Sequence, residues 1–476
     1  LQNEGVCFVS GKWITTAEST SVHNPACGGI IGQIGKADVS LVETAIEHAQ
    51  RAQKEWEMVS PKERGRILQE IGRLHRVHEE DLANIMTLEQ GKPLQEAREE
   101  IRYAAGYYNW FAGEGQRIYG DLIPSDKPSR KYLVSHQAVG VVAGITPWNF
   151  PSAMIARKIA PALAAGCSFV LKPSKLTPFS ALAICELSRR AGLPSGLLHC
   201  LTGSSSEIGH EFTRNKSIRK ISFTGSTAVG KLLLRESSST IKRTSMELGG
   251  NAPFVVFADA DLEKAALGLY QSKFRNMGQT CVCTNRVFVE DEVYDRFVQI
   301  FKELVEKKTV VGDGFMTGVT QGPLINAEAM EKVQRHVSDA LEKDGKVILG
   351  GKPHKLGGTF FEPTIIIDAH PSMLCYKEEI FGPVAPIFRF KSEKEVVRLC
   401  NDTDSGLAAY LFTNDSGRIW RMMSSLEYGM VGVNTGAISS ELVPFGGVKE
   451  SGMGREGSKY GIQEYLETKY ACWETN

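Results

Sequence analysis

From residue 141 to residue 236 the chain repeats one pattern, a short β-branched or apolar run followed by a longer segment with helical spacing. Residues 141–145, 168–171, 197–201 and 220–223 read as strands. Residues 152–165, 178–191, a short stretch after Ser206 and residues 227–236 read as the helices between them. Strands joined by helical crossovers run parallel, and a parallel sheet is stable when both of its faces are covered. The expected fold class is therefore α/β with a doubly wound sheet, whose ligands bind beyond the carboxyl ends of the strands.

The remainder is legible in outline. Residues 1–37 are rich in Gly and polar residues and hold short strand-like pieces such as residues 6–9. Asp38 can cap a helix with Val42, Ala45, Ala49 and Ala52 on one face, and Ser60-Pro61-Lys62-Glu63 is a capping box with Pro at the first helical position. Another helix starts near Glu79 and is ended by Gly91 and Pro93; a long one then reaches Phe111. Residues 131–142 read as one strand. Alternation resumes at residues 254–257, with a helix over 262–276, a strand over 286–290 and a helix over 292–307. Further strands are expected at residues 347–352, 363–367, 386–390, 408–412 and 431–434, and residues 461–473 end in a strand-like run. A chain of 476 residues exceeds one simple core, so two or three domains are expected.

Three stretches carry chemistry. Phe-Arg-Asn-Met-Gly-Gln-Thr-Cys-Val-Cys-Thr-Asn, residues 274–285, sets Cys281 after a glycine-containing run, where a substrate can approach the backbone. A thiolate attacks carbonyls well, so Cys281 is a candidate nucleophile; by itself the stretch fits small buried cysteines better. Met246-Glu247-Leu248-Gly249-Gly250-Asn251 puts a carboxylate beside two glycines, although a lone Glu is more often solvated or paired than a base. Thr146-Pro147-Trp148-Asn149-Phe150-Pro151 fixes an amide between two prolines, where it can donate to a developing oxyanion. Gly225-Ser226-Thr227-Ala228-Val229-Gly230 opens a helix after a strand, a phosphate-binding arrangement that is also an ordinary strand-to-helix turn.

Together Pro-Trp-Asn-Phe-Pro, Phe223-Thr-Gly-Ser-Thr227, Met246-Glu-Leu-Gly-Gly250, Gly278-Gln-Thr-Cys281 and Glu379-Ile-Phe-Gly-Pro383 resemble the aldehyde dehydrogenase superfamily in order and spacing, over nearly the whole chain. The resemblance implies a Rossmann-type cofactor domain of residues 1–119 and 138–246, an α/β catalytic domain of residues 247–447, and a small β oligomerisation flap of residues 120–137 and 461–476, hence a homodimer or homotetramer. It implies Cys281 as nucleophile, Asn149 with the Cys281 N–H as oxyanion donors, and Glu247 as base for thioester hydrolysis. It assigns Thr146, Pro147, Trp148, Lys172, Ser174, Lys175, Gly225, Ser226, Gly230, Leu248, Glu379 and Phe381 to a nicotinamide dinucleotide, with Lys172 also able to lower the thiol pKa. NAD-preferring members usually carry Glu where Lys175 stands. A lysine attracts a 2′-phosphate, so the NAD(P)+ expected here leans to NADP+, unless Lys175 simply points to solvent.

The resemblance is closest to succinic semialdehyde dehydrogenases, which hold a substrate carboxylate at positions matching Arg157, Arg275 and Ser439. Guanidinium groups in an apolar tunnel need an anion, although both arginines fit structural ion pairs as well. The expected substrate is a small anionic aldehyde. The alternatives are glutaric semialdehyde, a sulfonated aldehyde, a general aldehyde dehydrogenase, and a non-enzymatic scaffold, which the set Cys281, Glu247 and Asn149 argues against. Cys283 is a redox-switch candidate by resemblance, or a packing residue.

Composition narrows the partners. A formal net charge of zero gives no electrostatic case for nucleic acid, and no apolar run approaches the roughly 20 residues that span a bilayer. Ten cysteines without a Cys-x-x-Cys pair read as reduced thiols with no metal site, which fits the cytoplasm or the mitochondrial matrix. The sequence starts at Leu1, so a leader is left open.

Overall fold

In the computed structural model, which describes residues 5–475, the first alternating region closes into a sheet of eight strands. Residues 1–4 and 476, the outer ends of the expected segments 1–119 and 461–476, lie outside the described residues. The strands lie in the order Lys12–Thr15, Val6–Val9, Leu198–Cys200, Ser168–Lys172, Val141–Ile145, Ile218–Thr224, Arg243–Glu247 and Gly452–Met453. The five central strands are parallel; antiparallel strands finish both edges. Register brings the chemistry to one end. Ile145 pairs with Lys172 on one side and Phe223 on the other, and Thr224 pairs with Glu247.

A second sheet has the order Lys346–Leu349, Thr364–Ile367, Val384–Phe390, Thr284–Glu290, Ala252–Val256, Ala408–Phe412 and Met430–Val433, parallel except at its first pair. Its central strands are buried on both faces and rich in Val, Ile and Phe, as a covered sheet requires. A third, antiparallel sheet joins Leu466–Glu474, Arg130–Ala138 and Asp121–Ile123. It leaves Leu122, Ile123, Tyr470 and Trp473 exposed.

The helices start where local chemistry supplies caps. Asp38 Oδ1 accepts from Leu41 N–H at 2.8 Å, and Ser60 Oγ accepts from Glu63 N–H at 3.3 Å. Gly91, at φ 90°, ends the helix Glu79–Gln90 in the left-handed region. The helix Ala153–Ala165 is buried along its whole length, packed by the helices Pro61–Val77 and Leu94–Glu114. No helix among the described residues is long and apolar enough to cross a membrane.

Three expectations need correction. Residues 131–142 are not one strand: Gly140, at φ 119°, breaks the run into Arg130–Ala138 of the third sheet and Val141–Ile145 of the first. The helix expected over 262–276 stops at Phe274, because Asn276, Met277 and Gly278 all adopt positive φ. The strand Arg243–Glu247 and the helices Ala327–Glu342, Glu393–Asn401 and Ser416–Ser425 have no counterpart in the expected elements.

Candidate active site

The turn from Arg275 to Cys281 is the most constrained backbone near the sheet ends. Asn276 and Met277 hold φ 51° and 57°, which side-chain-bearing residues rarely adopt, followed by Gly278 at 73°. A Cβ on Gly278 would stand 2.2 Å from the Gly382 carbonyl oxygen, so only glycine fits. The turn is tied down on several sides. Asn276 Nδ2 donates to the Asn149 carbonyl at 3.1 Å, Gln279 Oε1 accepts from Ile325 N–H at 2.9 Å, and the Tyr410 hydroxyl donates to the Val282 carbonyl at 2.7 Å. Gly250 packs against the far side, its missing Cβ 2.2 Å from the Cys281 carbonyl oxygen. Cys281 is thereby half-buried at the junction of the two sheets.

Asn149 is held from below. Its amide nitrogen donates to the Gln279 carbonyl at 3.0 Å, and its carbonyl accepts from Lys92 Nζ at 2.8 Å. Lys92 is itself fully buried against Glu100 at 2.5 Å, and the other oxygen of Glu100 accepts the Ser152 and Ala153 N–H groups at 2.8 and 3.1 Å. One buried ion pair thus caps the central helix, fixes Asn149 and, through Asn276, steadies the cysteine turn.

Glu247 ends its strand in a buried position with Oε2 free of any partner among the described residues. Burial pushes its carboxyl well above the usual carboxylate range, and nearby Glu456 adds to this; Arg157, Lys158 and Arg455 oppose it. Burial likewise pushes the Cys281 thiol up to about 12. Arg157 is the cation that favours its thiolate, while Glu379 and Glu247 disfavour it.

At the cofactor-facing ends of the strands, Lys172 is buried and donates to Ser205 Oγ at 2.5 Å. Burial, reinforced by Lys175, lowers it to about 8. Lys175 itself is exposed, and Ser174 Oγ accepts from Leu176 N–H at 3.2 Å. Gly225 N–H donates to the Glu247 carbonyl at 3.0 Å, and Ser226 caps the helix Thr227–Ser237, whose first turn is open to solvent. Leu248 fills the space that a Cβ on Gly230 would need, at 2.5 Å. Thr146 N–H donates to the Lys172 carbonyl at 3.2 Å, and its hydroxyl is buried without a partner. After Pro147, Trp148 meets Phe381 edge to face at 5.6 Å, and Phe381 holds a positive φ of 55°. Glu379 accepts the Gly250 N–H at 2.9 Å. An open helix N-terminus and the neighbouring Lys172 and Lys175 fit a phosphorylated dinucleotide.

The candidate substrate residues separate. Arg275 and Ser439 line a cavity of about 710 Å³, together with Thr280 and Val282 on either side of Cys281. Arg275 lies over the Phe150 ring at 4.8 Å, and no carboxylate among the described residues reaches ion-pair distance of it. Arg157 does not line this cavity. It is buried, 2.9 Å from Glu456 and 4.0 Å from the Phe445 ring centroid, and its charge acts on the Cys281 thiol. The Cys283 thiol points away from the cavity, toward the Lys273 and Thr284 carbonyls at 3.4 and 3.3 Å. The sequence reading passed over Lys92, Glu100, Lys158 and Glu456. The available signal was charge in an otherwise apolar setting, as in Ala-Arg-Lys-Ile inside a wholly buried helix, since such charges must be paired. No cluster of His, Cys, Asp and Glu among the described residues could hold a metal ion.

The pattern of the aldehyde dehydrogenase family matches residues 13–471. A glutarate-semialdehyde dehydrogenase of Pseudomonas aeruginosa is 53% identical over 98% of this chain and 96% of its own. A succinate-semialdehyde dehydrogenase [NADP(+)] of Escherichia coli is also 53% identical, over 98% of this chain and 97% of its own. A solved structure described as an NADP dependent enzyme of E. coli superimposes with a TM-score of 0.98 at 52% identity, covering 99% of this chain and 98% of that one.

The buried pair gives a direct test of the site's construction. Lys92→Met leaves Glu100 charged and unpaired, so it should cost on the order of 3–5 kcal/mol of stability and release Asn149. A lower thermal unfolding temperature together with reduced aldehyde oxidation is the expected outcome; wild-type values of both would show that the pair positions nothing.

Proposed function

The chain belongs to the aldehyde dehydrogenase family, and from that premise we propose that it oxidises succinic semialdehyde to succinate with NAD(P)+, leaning to NADP+. The observation that carries the substrate is Arg275, a guanidinium on the wall of the cavity beside Cys281, stacked on Phe150 and lacking a carboxylate partner. Charged groups are seldom left so; a substrate carboxylate supplies the missing anion, with the Ser439 hydroxyl on the same wall. Glutaric semialdehyde and a short sulfonated aldehyde share this chemistry, and one methylene changes binding by only about 1–3 kcal/mol.

Cys281 adds as thiolate to the aldehyde carbonyl and forms a thiohemiacetal. The oxyanion is stabilised by the Asn149 amide, which keeps one N–H beyond its bond to Gln279, and by the Cys281 N–H. The nicotinamide dinucleotide supplies, when bound, the hydride acceptor that turns this adduct into a thioester. Glu247 then takes a proton from water, which attacks the thioester and releases the acid. Arg157 stabilises charge on both Cys281 and Glu247 and, beside the nucleophile, joins Arg275 and Ser439 in holding the substrate carboxylate. Thr146, Pro147, Trp148, Lys172, Ser174, Gly225, Ser226, Gly230, Leu248, Glu379 and Phe381 would hold the dinucleotide, and Lys175 would attract a 2′-phosphate. Residues 1–119 and 138–246 form the dinucleotide-binding domain and residues 247–447 the catalytic domain. A Cys281–Cys283 disulfide remains part of this reading, and it requires the Cys283 thiol to leave two carbonyl acceptors.

All ten cysteines are free, which supports a reducing compartment, cytoplasm or mitochondrial matrix. The exposed apolar residues of the third sheet support a homodimer or homotetramer built through residues 120–137 and 461–476. Sedimentation at micromolar concentration should give one of these species; a monomer would remove that role.

Initial rates with succinic semialdehyde and hexanal, each with NAD and NADP, test the substrate and the coenzyme together. The semialdehyde and NADP should be preferred. Arg275→Gln should raise the semialdehyde KM about tenfold or more, and Lys175→Glu should shift preference to NAD. Equal rates on hexanal would make the protein a general aldehyde dehydrogenase.

The pH profile tests Glu247. Its raised pKa keeps it protonated, and inactive as a base, below the folded-state value; kcat should therefore rise with pH and level off above the ordinary range of about 4.3. Glu247→Gln should abolish that rise and lower kcat about 100-fold or more, while an initial burst of reduced coenzyme persists. An unchanged kcat profile in the variant would assign the base elsewhere.

A further inference from the structure

The cavity that holds Arg275 also holds a carboxylate. Glu96, in the first turn of the helix Leu94–Glu114, lines the same wall and is half-buried there. Its Oε2 accepts the Asn276 backbone N–H at 2.9 Å. Asn276 opens the left-handed turn between Arg275 and Cys281, so this bond pins the turn where the clamp and the nucleophile separate. No hydrogen bond or ion pair joins Glu96 to Arg275 directly, but each lies in the field of the other. The charged groups facing Glu96 are Lys92 from the segment before its helix, Arg275 from the turn, and Glu99 from its own helix; Lys92 is already occupied by Glu100. The other cavity walls, Tyr270 to Ser272, Gly318 to Gln321, Tyr410 and Gly436 to Ser439, carry no charge.

We propose that Glu96 is a specificity-determining and positioning residue: it anchors the turn carrying Arg275 and competes with the carboxylate of an anionic aldehyde for the Arg275 charge. The proposal rests on the reading that Arg275 receives the substrate anion. A cavity with one free cation would bind any small carboxylate, including the acid product. With Glu96 ionised, its charge and that of Glu99 on the same cavity offset Arg275, so an incoming anion gains less and the product acid leaves more readily. Desolvation on the cavity wall, opposed by Lys92, Arg275 and the Asn276 N–H, holds the Glu96 carboxyl up at about 7. The group is therefore protonated at lower pH, where Arg275 is less shielded, and ionised at higher pH, where it is more so.

Glu96→Gln removes the charge but keeps an oxygen to accept the Asn276 N–H. Its KM for succinic semialdehyde should fall about fivefold, with the change carried by KM more than by kcat. The ratio of semialdehyde to hexanal efficiency should rise by a similar factor. In the wild type the semialdehyde KM should rise between pH 6 and pH 8, and in Glu96→Gln that rise should flatten. Inhibition by butyrate, which needs no turnover, should tighten in parallel. Glu96→Ala, lacking the acceptor as well, should also lose kcat, which separates anchoring from charge. If the wild type prefers the semialdehyde but Glu96→Gln keeps its KM, its pH profile and its butyrate inhibition, the role of Glu96 is refuted and the Arg275 clamp stands. If the wild type shows no preference for the semialdehyde, both readings fall.

Discussion

A lysine and a glutamate buried out of water hold the site together. Lys92 and Glu100 are both fully enclosed, and neither charge is tolerable there without the other. Their remaining hydrogen-bonding capacity is spent on backbone: Glu100 on the first N–H groups of the central helix, Lys92 on the carbonyl of Asn149. The central helix, the amide beside the nucleophile and the long helix Leu94–Glu114 are therefore one rigid unit. Phe150, next in the chain, has Lys92 at 4.0 Å from its ring centroid and Arg275 at 4.8 Å, so the same network reaches the substrate cavity.

The second cluster of buried charge is of a different kind. Glu247 and Glu456 share a pocket with Arg157 and Lys158, and Lys158 reaches Glu456 at 2.5 Å and Ser222 at 3.2 Å. Two acids face three cations, Arg455 included, and Glu247 Oε2 is left without a partner among the described residues. Left open, in a site where burial raises its affinity for a proton, the carboxylate suits the abstraction of a proton from water. Arg157 belongs to this cluster, whereas Arg275 lies outside it on the cavity wall.

Periodicity carried most of the fold. The strands of both sheets are apolar and regularly spaced, and the caps at Asp38 and Ser60 behave as their residue types dictate. The strand that ends in Glu247 escaped because it reads Arg-Thr-Ser-Met-Glu; tertiary pairing with Ile218–Thr224 makes it a strand, not its own composition. The end of the helix before Cys281 escaped for the opposite reason. Arg-Asn-Met continues a helical pattern, and the positive φ values are imposed by contacts with Asn149, Glu96 and Gly382 that lie far away in sequence. Candidate side chains were legible where motifs were local, as for Asn149, Glu247 and Cys281, which the fold brings to one site. Lys92, Glu96 and Glu100 were not, since their importance arises only from what the fold sets against them.

The strained turn couples binding to reaction. Arg275 and Cys281 lie at its two ends, and its conformation is fixed by bonds to three separate segments of the chain. The distance between the Arg275 guanidinium and the Cys281 sulphur, the clamp and the nucleophile of the proposed mechanism, is thus set by backbone geometry and not by flexible side chains alone. An aldehyde whose two ends match that span is delivered in an attacking position; one that is longer or shorter loses either the ion pair or the alignment. Orientation of this kind acts on the barrier as well as on affinity. On the proposed mechanism, residues that hold the turn govern selectivity between semialdehydes even where they never touch the reacting carbon.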